Sequence, residues 1–150
     1  MKAQPSIGKR GDRSAEQPLL VVAALIASDG RILACQRHRT DAFALRWEFP
    51  GGKVRSHEKP EEALARELEE ELGVTAEIGE EVHRTRHRYD EMSREIELVF
   101  YTARADAEAM QNRVFEQIRW VAPANLASLD FLPADRELIR LLSTGKLKIS

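Results

Sequence analysis

The sequence is poor in several residues on which common chemistries depend. It has one cysteine, Cys35, which excludes an internal disulfide and a cysteine-cluster zinc site. Cys35 is expected to be a small buried strand residue. No apolar run approaches the roughly 20 residues of a membrane span, so no membrane partner is expected. The N-terminal stretch has no apolar segment of signal-peptide type, and a cytoplasmic setting is the expectation. A net charge of −2 and a pI near 6.1 leave no basic excess for gripping a nucleic-acid polymer. His83 and His87 are four apart, but on an extended segment that spacing builds no metal site. There is no internal repeat and no low-complexity block.

What is present suits one folded domain. The chain has 150 residues, 43% hydrophobic and 32% charged, which is ordinary for a globular protein with one core. Residues 1–17 mix Gly, Pro, Ser and charge without periodicity, and are expected to be a mobile tail. A single domain is expected over 18–150. Pro18 to Ala27 is nearly continuous apolar sequence, and Ser28-Asp29-Gly30 is a hairpin signal leading to a second strand, Arg31 to Arg37. A strand apolar on both faces implies layers on both sides of its sheet. The fold class is therefore α/β, a sheet sandwiched between helices. A short strand is expected at Val74–Gly79 and a turn at Asp90–Ser93. Alternation predicts a central strand over Arg94–Arg104. A further strand is expected over Val114–Val121, with Glu116 near its start, and a closing helix over Arg136–Leu142. His83 to Tyr89 reads as extended, with Arg84, Arg86 and Arg88 on one side. That basic row either meets phosphates or forms a solvated sheet edge. Arg37 at a strand end either reaches solvent or meets a ligand.

The most informative stretch is Gly51 to Val74, GGKVRSHEKPEEALARELEEELGV. Pro60 suits a first helical position and Gly73 a stop, with Lys59 as a poor N-cap. At about 100° per residue, Glu70 falls near −60° and Glu71 near +40° of Glu67. Leu64, Leu68 and Leu72 fill the neighbouring arc, so one side is apolar while three acids project beside it. Like charges that close oppose one another's ionisation unless a cation sits among them. Oxygen-only donors suit Mg²⁺, Mn²⁺ or Ca²⁺. The alternative is a solvated, glutamate-rich face. Upstream, Arg46-Trp47-Glu48-Phe49-Pro50 runs into the glycines, where bare backbone can approach a ligand. Trp47 and Phe49 read as core or as faces for a base.

The spacing resembles the signature of the Nudix hydrolases: Gly52, then Glu58, then Arg66-Glu67-Leu68, then Glu70-Glu71, then Gly73-Val74. The resemblance extends over about residues 19 to 143. WEFPGGK, Trp47 to Lys53, and LPAD, Leu132 to Asp135, are similar to the MutT-like branch. The resemblance implies a mixed sheet between helices and hydrolysis of nucleoside triphosphates to a monophosphate and pyrophosphate. It implies Mg²⁺, replaceable by Mn²⁺, on Glu67, Glu70, Glu71 and the Gly51 carbonyl, with Glu116 as a further ligand. Arg66 would orient the glutamates, with Glu58 behind it, and Glu70, Glu71 or Glu116 would be the general base. Arg37, Phe49, Lys53, Arg94 and Asp135 would bind the substrate. MutT itself carries an asparagine where this chain has Asp135. An aspartate there suits the amino group of cytosine if ionised, an oxidised guanine if protonated, or merely an N-cap for the following helix. The expected role is nucleotide-pool sanitation, with 8-oxo-dGTP favoured and a cytidine or 5-methylcytidine triphosphate as the alternative. A nucleotide-sensing domain without turnover is less favoured, since no box glutamate is missing. The protein would act as a monomer or homodimer on a small-molecule nucleotide.

Overall fold

The computed structural model describes residues 17–90 and 94–150. The tail expected over 1–17 lies outside them apart from Gln17, as does most of the turn expected at Asp90–Ser93.

The strands are β1 (Leu19–Ser28), β2 (Arg31–Gln36), β3 (Trp47–Glu48), β4 (Gly51–Lys53), β5 (Glu77–Tyr89), β6 (Arg94–Arg104) and β7 (Gln117–Val121). The helices are α1 (Pro60–Leu72) and α2 (Arg136–Ser143), with 3-10 turns at Ala107–Ala109, Pro123–Ser128 and Pro133–Asp135. The sheet runs β3-β2-β1-β6-β5, with β4 also on β1 and β7 also on β2. β1 pairs parallel with β6, and the other pairings are antiparallel.

The apolar run of β1 feeds two cores, because successive strand side chains point to opposite faces. Ala23 and Leu25 join Phe49, Phe100 and the α2 residues Leu138, Ile139 and Leu142. Val22, Ala24 and Ile26 join Leu33, Val99 and the α1 residues Ala63, Leu64, Leu68 and Leu72. A helix thus covers each face, and the α/β/α expectation holds. Each fully buried leucine contributes about 1.5–3 kcal/mol of transfer free energy. α1 starts and stops where the sequence places it. The Glu62 carboxylate accepts the Lys59 backbone N–H at 3.0 Å, which supplies the start that Lys59 itself lacks. Gly73 ends the helix in a left-handed conformation, φ 67°, which glycine adopts without a Cβ penalty.

Two local expectations are corrected. Val74–Gly79 is not a separate strand, since β5 runs unbroken from Glu77 to Tyr89 and absorbs its misfit as register shifts between Ile78 and His83. The strand expected from Val114 begins only at Gln117. The Asn112 side chain accepts from Phe115 N–H at 2.8 Å and donates to Phe115 O at 2.9 Å, closing a local loop in place of strand pairing. The arginine row lies on β5 at the sheet edge. Arg84 pairs with Glu81 at 2.8 Å and Glu97 at 3.1 Å, and Arg86 with Glu95 at 3.4 Å. That is the arrangement of a solvated, charge-paired sheet edge, the second of the two readings.

Candidate active site

Helix α1 is fixed to the core by its leucines, so the opposite arc is presented in a defined orientation. On that arc Arg66 acts as a fork. Its Nε reaches Glu58 at 2.7 Å, and its Nη1 reaches Glu67 at 2.9 Å and Glu70 at 3.3 Å. Its Nη2 also donates to the Lys53 carbonyl at 3.1 Å. A guanidinium offers five donors in one plane, and here it spans the glycine strand, the loop before α1 and two helix acids. The Arg66 hydrogen bonds, with the Arg55 backbone N–H, hold the Glu58 carboxyl down at about 2.

Glu67 and Glu71 lie toward the glycine strand. The Glu67 carboxylate packs directly on Gly52, where an added Cβ would stand 2.6 and 2.7 Å from its two oxygens. The Gly51 backbone N–H donates to Glu71 Oε1 at 3.2 Å. Burial first, then the charges of Glu67 and Glu48, push Glu71 up to about 9. Glu67, already paired with Arg66, and Glu71, with the Gly51 N–H, crowd one another here, and a further cation would relieve that crowding. The donor set is all oxygen, which fits a hard divalent ion. Glu70 is turned to Arg66 and is half exposed. Among the described residues no three acid, histidine or cysteine side chains are grouped so as to hold a metal ion by themselves.

Beside the glutamates lies a cavity of about 410 Å³. Gly51, Gly52, Lys53 and Glu71 line it at the helix side, and Phe43, Phe49, Tyr89 and Asp135 line it elsewhere. Phe49 is both core and wall, packed on Phe131 with ring centroids 5.1 Å apart. Arg37 does meet something: its Nη1 pairs with Glu48 at 3.1 Å, and both line the cavity. Burial raises the Glu48 carboxyl, opposed by Arg37. Asp135 is buried, and burial, with the charge of Glu48, holds it well above the usual carboxylate range. It stands just before α2 yet makes no side-chain capping bond. The N-cap alternative for Asp135 is thereby overturned.

Of the residues singled out in the sequence, Arg37, Phe49, Gly51, Lys53, Glu71 and Asp135 line this one cavity, with Arg66, Glu67 and Glu70 on the adjoining helix. Two stand apart from its lining. Arg94 Nε donates to the Gln17 carbonyl at 3.0 Å. Glu116 is clasped by the Arg39 guanidinium and its backbone N–H, and those bonds hold its carboxyl down at about 2. Glu48, Tyr89 and Phe43 are cavity residues that the sequence did not single out for the site. Glu48 sits inside the motif already quoted, and the alternation of β5 puts Tyr89 on the face of His87.

The family model for the NUDIX domain matches residues 17–142. A CTP pyrophosphohydrolase from Escherichia coli K12 is 37% identical over 119 residues, covering 79% of this chain and 87% of the relative. An 8-oxo-dGTP diphosphatase from Haemophilus influenzae is 37% identical over 123 residues, covering 81% and 89%. The crystal structure of a MutT NUDIX hydrolase from Burkholderia pseudomallei aligns with a TM-score of 0.66 at 32% identity, covering 83% of this chain and 98% of that one.

Proposed function

Because the chain belongs to the NUDIX domain family, we propose that it hydrolyses nucleoside triphosphates to a monophosphate and pyrophosphate with the aid of Mg²⁺. The observation that carries this is the continuity of the cavity. Aromatic and acidic walls for a base run without a break into the glycine strand and Glu71.

Glu67, Glu71 and the Gly51 carbonyl would hold the ion, with Glu70 joining when it leaves Arg66. A bound divalent ion neutralises the polyphosphate and lowers the pKa of a water. Arg66 fixes the rotamers of Glu67 and Glu70, and positioning of that kind supplies much of phosphoryl-transfer catalysis. Lys53, exposed at the cavity rim, supplies a cation for the phosphate chain. Of the three candidate bases, Glu116 is pinned by Arg39 and Glu71 is part-buried. Glu70, held by one Arg66 nitrogen at 3.3 Å and by Arg55 at 3.9 Å, is the most exposed of the three and is the base in this reading. Glu116 then contributes by holding Arg39 rather than as a ligand.

The preferred base follows from Asp135. Burial pushes the Asp135 carboxyl toward its protonated form, and a protonated carboxyl offers a donor and an acceptor together, which suits the edge of an oxidised guanine. This favours 8-oxo-dGTP. The CTP pyrophosphohydrolase relative supports a cytidine triphosphate as the second reading, with Asp135 ionised. The deciding experiment is a panel of normal and oxidised triphosphates with Mg²⁺ and assays for both phosphate products. Pyrophosphate release with 8-oxo-dGTP ahead is expected. Orthophosphate as the product, or no turnover of any triphosphate, refutes the reading.

A further inference from the structure

Tyr89 is the last residue of β5 and one wall of the cavity. A phenol has one proton to give and two lone pairs to receive. One lone pair is already committed, because the Ala134 backbone N–H donates to the Tyr89 oxygen at 3.2 Å. Ala134 and Asp135 share the 3-10 turn Pro133–Asp135, so this bond ties the end of β5 to the turn that carries the buried acid. The ring is fixed as well. Phe43 packs on it with centroids 4.9 Å apart, and His87 at 4.4 Å. Burial pushes the phenol up, against the Ala134 hydrogen bond, so it stays neutral. The hydroxyl is thus a donor held in one place.

We infer that Tyr89 is a specificity-determining residue for the reaction proposed above, donating its hydroxyl proton to a carbonyl oxygen on the base while Asp135 engages the neighbouring atom. The inference rests on that reaction and narrows its substrate to nucleotides whose base carries a carbonyl at the atom Tyr89 faces, guanine ahead of adenine. A fixed donor rewards a carbonyl at the atom it faces. An amino group at the same position would set one donor against another and leave both unpaired.

The experiment compares the wild type with Tyr89→Phe, which keeps the ring and its packing. KM and kcat are measured with Mg²⁺ for a guanine and an adenine triphosphate of the same oxidation state. For the guanine nucleotide, kcat/KM should fall about tenfold, the size of one hydrogen bond, with the change in KM. The adenine nucleotide, relieved of the opposed donor, should gain, so the guanine-to-adenine ratio of kcat/KM should fall by at least that factor. Binding of the guanine monophosphate without metal should weaken by the same factor, and a thermal melt shows that the variant is folded. An equal loss for both bases marks a structural role and overturns the inference, as does an unchanged ratio. If the wild type releases no pyrophosphate from any triphosphate, the proposed reaction has failed. If it does and the variant keeps its base ratio, only the Tyr89 assignment has.

Discussion

Gly51 and Gly52 are neighbours, yet the same substitution should break different things at each. At Gly52 the three atoms nearest an added Cβ all belong to the Glu67 carboxylate. The end of a glutamate can swing aside at about 0.5–1.5 kcal/mol for an off-rotamer side chain. Gly52→Ala should therefore fold with only a modest loss of stability. Its activity should not survive so well. Moving a carboxylate by roughly 1 Å at a site that works by positioning costs about 10²-fold in rate, or about 2.7 kcal/mol of transition-state stabilisation. At Gly51 the added Cβ would meet the Val22 carbonyl group and stand 2.8 Å from the Ala23 Cα. That is the backbone of β1 and cannot swing aside. Gly51→Ala should cost about 3 kcal/mol, the upper end for overpacking. Urea titration and pyrophosphate release on the two variants give the answer. A fully active Gly52→Ala, or a Gly52→Ala destabilised as much as Gly51→Ala, refutes the argument that this glycine exists to seat Glu67.

Three further outcomes are expected. Leu68→Ala removes a fully buried side chain of α1 and should cost about 2–5 kcal/mol by urea titration; a loss under 1 kcal/mol would mean the helix is not anchored as described. Glu71 is held up at about 9, above its value in the unfolded chain, so between about pH 5 and pH 9 the folded metal-free protein binds the extra proton. Its stability should fall as pH rises through that window, by at most about 1.4 kcal/mol per pH unit from this group, and Glu71→Gln should flatten the profile. Asp135→Asn should change the ratio of oxidised-guanine to cytidine triphosphate turnover by tenfold or more, read in the same substrate panel, whereas an unchanged ratio removes Asp135 from base reading.

The sequence exposed what is local and periodic. Pro60 and Gly73 bracket α1 because proline and glycine each have one favourable place in a helix. The double-sided β1 announced a covered sheet through composition alone. What stayed hidden depends on chain meeting chain. Arg37 and Glu48 are joined across β2 and β3, and neither residue carries a local sign of the other. Tyr89 looked like one more member of an extended segment until the Pro133–Asp135 turn arrived at its hydroxyl. Asp135 had a good local explanation as a helix cap, and the fold sent its carboxyl into the cavity instead. The glutamates shared an arc on paper, but Arg66 Nη1 takes Glu67 and Glu70 together while Glu71 accepts from the Gly51 N–H.

Strand β4 is three residues long, and among the described residues its ladder is to β1 alone, Val21 to Lys53 through Ala23 to Gly51. The seat of the helix acids thus has no integrity of its own. It borrows its shape from the first half of a strand whose other side is zipped to β6. Slippage of that short ladder by one place would turn Lys53 inward and carry Gly52 away from Glu67, with most of the molecule still intact. Turnover should consequently report the order of Leu19 to Ala23 and vanish on gentle heating before the bulk of the helix signal does.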